Sequence, residues 1–375
     1  MTKLPPELLH HILSFCDAHE LSILSLCSKW MRDEVLHFCQ SLRRHLDPLP
    51  REDPSAQASA LGILMKRVTC LYPTKERLNL MVNFITKYIP APCLSSDLKQ
   101  WHLFGRFLFA AIAGWDDDEC SRVYEALISY TAAGGRINTC VYAAPGKYVK
   151  EEITLRNLVT TIVFNQTAGY ERALWIYLFL KPHPIACKAQ LLFILCGPSC
   201  QHGVLWDLPD DRRFSDPMVR AIDQLAESLL LLHAHAVNWT PDDTSSVLEE
   251  LTRVPEEWSL LNVSRLMLAC GKEIALLSLA SKLRNGRYHE VGRIVANMFI
   301  VEDKGYAGRV TVYHLLDALQ CEALYNNLPT VFGEMITDCV QEDDDDQQLC
   351  TDLLEIASAQ NCFISYVSRR FRQLI

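Results

Sequence analysis

LPPELLHHILSF, residues 4–15, decides how the N-terminal part of this chain folds. Its paired prolines suit the first turn of a helix, where a backbone N–H has no partner within the helix. Leu8, Ile12 and Phe15 then recur at helical spacing and form one apolar stripe. The sequence therefore predicts a first amphipathic helix whose apolar stripe must be covered.

The following stretch, DAHELSILSLCSKW at residues 17–30, predicts two further helices. Asp17 is a typical N-cap, Leu21 and Leu24 continue an apolar face, and Trp30 begins a third helical segment. Roughly 35 residues of helix cannot enclose a core by themselves, because domains below about 40 residues usually need a staple, a metal or a partner. We therefore expect an outside surface to complete this core.

This ordered string of residues resembles the F-box. The segments that carry the resemblance are Leu4-Pro5, Glu7-Leu8-Leu9, Ile12-Leu13-Ser14-Phe15, Glu20-Leu21 and Ser28-Lys29-Trp30. The resemblance implies a three-helix module that docks on a Skp-type adaptor, which links it to a cullin and a RING subunit. The adaptor contacts that it implies are Leu4, Pro5, Leu8, Ile12, Leu13, Leu21, Leu24, Cys27 and Trp30. The alternative is an amphipathic N-terminal hairpin that packs on the rest of the chain.

Length and charge limit the classes of partner. The 375 residues exceed the usual size of one domain, and 49% hydrophobic with 22% charged residues is typical of a folded globular protein. A net charge of −9 disfavours direct binding to nucleic acid or to an anionic membrane surface. The longest apolar runs, such as residues 173–180, are shorter than the roughly 20 residues that span a bilayer.

The thiols predict a reducing compartment. Fifteen cysteines are scattered along the chain, and residues 1–15 lack the basic start and long apolar run of a secretory signal. We therefore expect reduced cysteines and a location in the nucleus and cytoplasm.

The rest of the chain is predicted to be helical. Polar, proline-rich residues 47–55 indicate a linker, so we divide the chain into an F-box module at 1–45, a linker at 46–58 and a substrate- or partner-binding domain at 59–375. Helical periodicity with short Pro, Gly and Asn turns indicates an all-α fold of stacked helices, possibly solenoid-like, although no fixed repeat is visible. Residues 137–149 are the best strand candidate.

Several helix ends are predicted from local signals. The acidic cluster at residues 116–119 is interpreted as an N-cap, and Gly134-Gly135 as the end of the helix that follows. Thr240 with Pro241 begins another helix, and Asn285-Gly286 separates two more. The acidic run at residues 342–346 is expected to be a solvated loop before a last amphipathic helix.

Further segments resemble one subfamily of F-box-only proteins across roughly residues 4–300. They lie at residues 61–67, 73–78, 113–124, 239–243, 254–268 and 280–287. That subfamily is associated with germ cells and meiotic progression, which is a context implied by the resemblance alone.

No stretch predicts catalysis, so we assign no catalytic residue, no cofactor and no metal. Residues 144–148 lack the first glycine of a phosphate loop. Cys196, Cys200 and His202 could hold zinc with His183 or Cys187, but two buried structural cysteines beside a loop histidine explain them better. The hypothesis is thus a non-catalytic receptor.

This receptor would be the substrate-recognition subunit of an SCF-type ubiquitin ligase, and it would act by holding a protein near the charged conjugate. The alternative is a helical scaffold that uses the F-box for assembly without substrate turnover. Trp115, Trp206 and Trp258 are candidate partner contacts, although buried anchoring of the helices is the better interpretation.

Overall fold

The computed structural model describes residues 4–41, 53–86, 97–207, 216–306, 308, 311–342 and 346–372. Over these residues it contains eighteen α-helices, one short 3₁₀ helix and one two-stranded hairpin, which confirms the predicted all-α class. None of the helices in the described ranges combines the length and the hydropathy that a membrane crossing requires.

The first ten helices are α1 Pro6–Leu13, α2 Ala18–Cys27, α3 Lys29–Ser41, α4 Pro54–Val68, α5 Thr74–Ile85, α6 Leu98–Ile112, α7 Asp117–Thr131, α8 Ala133–Val141, α9 Val149–Ile162 and α10 Gly169–Leu180. The others are α11 Ile185–Cys196, α12 Asp216–His235, α13 Pro241–Leu251, α14 Leu260–Arg284, α15 Tyr288–Asp303, α16 Val312–Leu319, α17 Glu322–Glu342 and α18 Asp346–Arg372. The 3₁₀ helix is Phe164–Gln166, and strands β1 Ser199–Cys200 and β2 Gly203–Val204 pair antiparallel.

The chain forms two compact units. Unit 1 comprises Met1–Thr139 and Ile153–Leu178, and unit 2 comprises Cys140–Glu152 and Phe179–Ile375. The predicted linker at 46–58 does not coincide with this division. Its residues 46–52 lie outside the described residues, whereas residues 54–58 belong to α4, because Asp53 caps that helix and a proline occupies its first position. The three-part domain division remains a prediction.

Unit 1 is built around α4. This helix packs on α2, α3 and α6, while α5 packs on α7. Gly62 permits the close approach of α4 to α6, since a Cβ at this position would lie 2.3 Å from the carbonyl oxygen of Phe107. Phe107 in turn stacks on Phe84 with ring centres 6.1 Å apart.

Unit 2 is a succession of packed helices. Helix α11 packs on α12 and α13, α12 on α14, α14 on α15, and α15 on α17 and α18. Helix α14 is interrupted at Gly271, whose φ of 79° and ψ of 179° are non-helical. Trp206 and Trp258 are buried against Phe193, with ring centres 4.6 and 5.9 Å from it, so the anchoring interpretation is correct for these two tryptophans.

The third tryptophan lies in unit 1. Trp115 is half-buried, and the guanidinium of Arg77 lies 4.2 Å from the centre of its ring. This cation–π contact places the Arg77 guanidinium over one face of the Trp115 ring, within the same unit.

The predicted helix caps are largely confirmed. Asp116 and Glu119 form a reciprocal capping box at α7, and Thr240 with Asp243 does so at α13. Asn285 ends α14 as predicted. In the acidic run, Glu342 ends α17, but residues 343–345 lie outside the described residues.

Two local predictions are wrong. Helix α7 ends at Ala132 in the left-handed conformation, and Gly134-Gly135 lie inside α8 instead of ending α7. The strand candidate 137–149 begins in that same helix, because Ile137, Cys140 and Val141 have helical spacing and are buried on one face. The remaining residues form the loop that leads to α9.

Candidate adaptor-binding site

Helix α1 separates its apolar residues onto two faces. Leu9 and Leu13 are buried and lie one turn apart on the face toward α3, on which α1 packs. Leu8 and Ile12 are also one turn apart but remain about half exposed, at 53% and 49%. Pro6 occupies the first helical position, as the sequence predicts. The exposed pair therefore forms an apolar stripe that none of the described residues of this unit covers fully.

Helix α2 begins with the predicted N-cap. The backbone N–H of Glu20 donates to the Asp17 carboxylate at 2.7 Å, and the backbone N–H of Asp17 donates to the Glu20 carboxylate at 2.9 Å. This reciprocal capping box fixes where α2 starts and how α1 turns into it. Leu21, at the start of this helix, is fully buried.

Helix α3 carries Trp30 and packs on both α1 and α2. The hydroxyl of Ser28 accepts a hydrogen bond from the backbone N–H of Met31 at 3.1 Å and so caps the first turn. Trp30 lies in that turn and is 37% exposed. Farther along α3, the ring of Phe38 is buried and meets the imidazole of His10 edge-on, with ring centres 5.6 Å apart.

The structure divides the nine implied adaptor contacts. Six are exposed, and Leu24 is half-buried. The exposed residues are Leu4, Pro5, Leu8, Ile12, Cys27 and Trp30. Leu13 and Leu21 are only 1% and 0% exposed, so in this structure they are core residues of the three-helix module and not surface contacts. The nine implied adaptor contacts, with these two leucines among them, remain a prediction.

Three exposed apolar residues were not among the implied contacts. Phe15 is 76% exposed at the end of α1, and Ile23 and Leu26 are exposed on α2. We call Leu4, Leu8, Ile12, Phe15, Ile23, Leu26 and Trp30 together the apolar face. Seven of the twenty large exposed hydrophobic residues among the described ones therefore fall between residues 4 and 30. This concentration indicates an interaction surface, because single exposed apolar residues are ordinary whereas clusters are not.

Part of the module's core is completed by the chain itself. Helix α2 turns Ser22 and Ser25 toward α4, and both serines are buried. Arg67 on α4 donates a hydrogen bond of 2.8 Å to the Ser22 hydroxyl. The expectation that only an outside surface could complete this core is therefore wrong for the α4 side, while the apolar face stays open.

The described residues hold no group of three or more His, Cys, Asp or Glu side chains arranged to bind a metal ion. Of the residues considered for zinc, Cys196 is buried and accepts a hydrogen bond from the Ser228 hydroxyl at 3.3 Å. Cys200 lies exposed in β1, where its sulfur accepts from the backbone N–H of His202. The interpretation as two buried structural cysteines is therefore correct for Cys196 and wrong for Cys200, which is exposed.

Comparison with known proteins identifies the family of this chain. The F-box domain model matches residues 1–33, and the model described as FBXO47, ARM repeats, matches residues 131–360. F-box only protein 47 of mouse is 32% identical over 330 residues, covering 80% of this chain and 71% of the relative. The chain belongs to the F-box only protein 47 family. The human F-box only protein 47 is likewise 32% identical, over 328 residues.

Membership in the F-box only protein 47 family agrees with the geometry of the N-terminus. The matched F-box residues include the whole apolar face, and the F-box supports an adaptor-binding role for this surface. The ARM-repeat match, at residues 131–360, covers most of the packed helices in unit 2 together with residues 131–139 and 153–178 of unit 1. No solved structure matches the chain.

Proposed function

We propose that this member of the F-box only protein 47 family is the substrate-recognition subunit of an SCF-type ubiquitin ligase. The apolar face binds a Skp-type adaptor, which connects the chain to cullin and RING subunits. The observation that carries the proposal is the concentration of half-exposed apolar side chains on α1 and α2 within the residues that match the F-box.

In this role the chain catalyses no step itself. It binds a protein through its helical region, and the conjugating enzyme held by the RING subunit transfers ubiquitin to that protein. Tethering raises the effective concentration of the target's lysines near the charged conjugate. We place this activity in the nucleus and cytoplasm, with meiosis in germ cells as its setting.

The adaptor contact is tested by co-purification with a Skp-type adaptor. We expect the wild-type chain to bind, and the double variant Leu8→Asp with Ile12→Asp to lose binding, because two carboxylates would be buried unpaired in an apolar interface. The matched control is Leu354→Asp with Ile364→Asp, which changes two exposed apolar residues of α18. Full binding by the Leu8 and Ile12 variant would refute docking through this face.

The receptor role needs a second measurement. The half-lives of proteins that the chain captures are measured in cells that lack the chain. They are measured again in cells where the double variant Leu8→Asp with Ile12→Asp replaces it. A receptor predicts longer half-lives of captured proteins in both cases. Unchanged half-lives with intact adaptor binding would favour the alternative function, a scaffold that assembles partners without turnover.

A further inference from the structure

Two segments of unit 2 carry basic but no acidic residues, although the chain as a whole is acidic. Residues 140–150 and 179–206 together contain four lysines and two histidines, but no Asp, Glu or Arg. The whole chain has 45 acidic against 36 basic residues and a net charge of −9. The two segments are therefore basic within a chain that is acidic overall.

The fold brings the two segments together. The thiol of Cys187 donates to the carbonyl oxygen of Val141 at 3.4 Å, and the Gln190 amide donates to the carbonyls of Cys140 and Ala143 at 2.9 and 3.0 Å. At the hairpin, a Cβ on Gly203 would lie 2.6 Å from a methyl carbon of Val149. Segments far apart in sequence thus form one continuous surface within unit 2.

Exposed aromatic and apolar side chains lie among the lysines. Tyr142 is 65% exposed, and its ring lies beside that of His183 with centres 6.4 Å apart. Tyr148 is also exposed, with the ammonium of Lys147 5.5 Å from its ring centre. We call this region the lysine surface; it consists of Lys147, Lys150, Lys181, Lys188, Tyr142, Tyr148 and Ile185.

Four acidic residues lie next to this surface: Glu151 and Asp207, which directly follow the two segments in sequence, Glu152 and Asp243. The buried Glu152 carboxylate accepts hydrogen bonds from the Gly146 backbone N–H and the Trp206 indole N–H, both at 2.9 Å. Asp243 caps α13, and the hydrogen bond from Thr240 holds the pKa of Asp243 below its ordinary value. Lys188, which lies 5.4 Å from the ring centre of Trp239, adds to that lowering. Lys147 and Lys150 are both exposed.

From this charge complementarity we propose that the lysine surface binds an acidic polypeptide segment that carries apolar or aromatic anchors. The inference rests on the proposed function, and in that setting the segment belongs to the protein to be ubiquitinated. Lysines attract carboxylates as point charges, while the exposed tyrosines and Ile185 supply the apolar contacts that fix register. A nucleic acid fits less well, because the surface has no arginine and the chain as a whole repels a long polyanion.

The test is selection of random peptides displayed on phage against the full chain. We expect the selected peptides to be enriched in Asp and Glu next to apolar residues. One of them, made synthetically with a fluorophore, should bind the double variant Lys147→Glu with Lys150→Glu on the order of tenfold more weakly than the wild type. Glu at position 150 is compatible with folding, since it lies in the first turn of α9.

The control carries the same change in charge elsewhere in unit 2. Arg220→Glu with Lys272→Glu alters two exposed cations outside the lysine surface and should leave peptide binding within a factor of about two. Selection of peptides without acidic enrichment, or equal weakening by both double variants, would overturn the proposal. So would a single-stranded oligonucleotide that binds more tightly than the peptide and loses binding in the Lys147 and Lys150 variant.

Adaptor binding is measured on the same samples, so that the proposed peptide site and the proposed ligase function can be refuted independently of each other. If the Lys147 and Lys150 variant and the wild type bind the adaptor equally while acidic peptides are not selected, only the lysine surface is refuted. If acidic peptides bind but the adaptor does not, the lysine surface is confirmed as a binding site and the ligase assignment is refuted.

Discussion

The guanidinium of Arg67 on α4 donates a hydrogen bond of 2.8 Å to the hydroxyl of Ser22, which is buried on α2. This bond joins the F-box helices to the first helix after them. The F-box helices α2 and α3 therefore pack directly on α4 within unit 1. An adaptor bound to the apolar face would consequently hold the rest of unit 1 in a fixed orientation.

The Arg67–Ser22 bond should contribute measurably to the stability of unit 1. We expect Ser22→Ala and Arg67→Met each to lower the free energy of unfolding by about 1 kcal/mol, since hydrogen bonds to charged groups are worth somewhat more than neutral ones. Chemical denaturation of both single variants and the double variant gives the coupling energy. Lys66→Met, on the neighbouring residue, is the control. If the stability losses of Ser22→Ala and Arg67→Met simply added up in the double variant, the two side chains would not be coupled and the hydrogen bond would make no contribution.

Neighbouring residues on α1 should have opposite roles. Leu13→Ala is expected to cost about 2–5 kcal/mol of stability, because it leaves a cavity in the core of the module. Ile12→Ala should cost less than about 1 kcal/mol but weaken adaptor binding on the order of tenfold, because half of its side chain is exposed. Thermal unfolding and titration with the adaptor separate the two. If Ile12→Ala lowered the free energy of unfolding as much as Leu13→Ala does, Ile12 would be a core residue and not a surface contact.

Cysteine labelling should map the adaptor footprint. Cys27 is exposed beside the apolar face, so a maleimide should modify it quickly in the free chain and slowly once the adaptor is bound. Cys120 is the internal comparison: burial, and then the charges of Asp117 and Asp116, raise the pKa of its thiol to about 11.

Two pKa units above the ordinary value of 9.0 leave Cys120 with about a hundredfold less thiolate near neutral pH. Its labelling should therefore stay slow with or without adaptor and rise only as the pH approaches 11. Mass spectrometry of modified peptides follows both sites. Equal protection of Cys27 and Cys120 by the adaptor would indicate general stabilisation instead of a local footprint.

The close approach of α4 and α6 should make Gly62 intolerant of any side chain. Gly62→Ala is expected to lower the free energy of unfolding by at least about 2 kcal/mol, because its Cβ would lie 2.3 Å from a backbone oxygen that cannot move aside easily. Gly135→Ala in α8 is the matched control, since no atom lies within 4 Å of its Cβ position. That change should stabilise by about 0.5–1 kcal/mol through helix propensity.

A pH dependence is expected from Glu249 in unit 2. Burial by itself raises the pKa of this carboxyl, but the hydrogen bond from Arg287 and the charges of Lys282 and Arg253 outweigh burial, so the pKa of Glu249 lies below its ordinary value of 4.5. A lowered carboxyl pKa contributes stability above the unfolded value, and this contribution is lost as the pH falls through the folded value.

Glu249→Gln should therefore destabilise the chain at neutral pH, and its difference from the wild type should shrink below about pH 4.5. Urea denaturation over a pH series measures this difference. A difference that stays constant through the acidic range would mean that the ionised carboxylate makes no net contribution to folding.

The sequence by itself determined the helical class, the F-box resemblance and most helix starts. Caps such as Asp17, Asp116 and Thr240 are local signals, because a side chain that accepts hydrogen bonds from the next turn needs no distant residue. The end of α7 was missed because Ala132 adopts the left-handed conformation that two nearby glycines would more readily take.

The tertiary structure alone decided which apolar residues face outward. Helix α2 carries apolar residues around most of its circumference, so periodicity could not tell that Leu21 is buried while Ile23 and Leu26 are exposed. The choice is made by α4, which packs on the side of Ser22 and Ser25, where small side chains allow the helices to approach and Arg67 reaches a hydroxyl. The lysine surface arises in the same way, because only folding joins residues 140–150 to residues 179–206. Burial depends on what lies opposite a side chain, and that neighbour is usually distant in sequence.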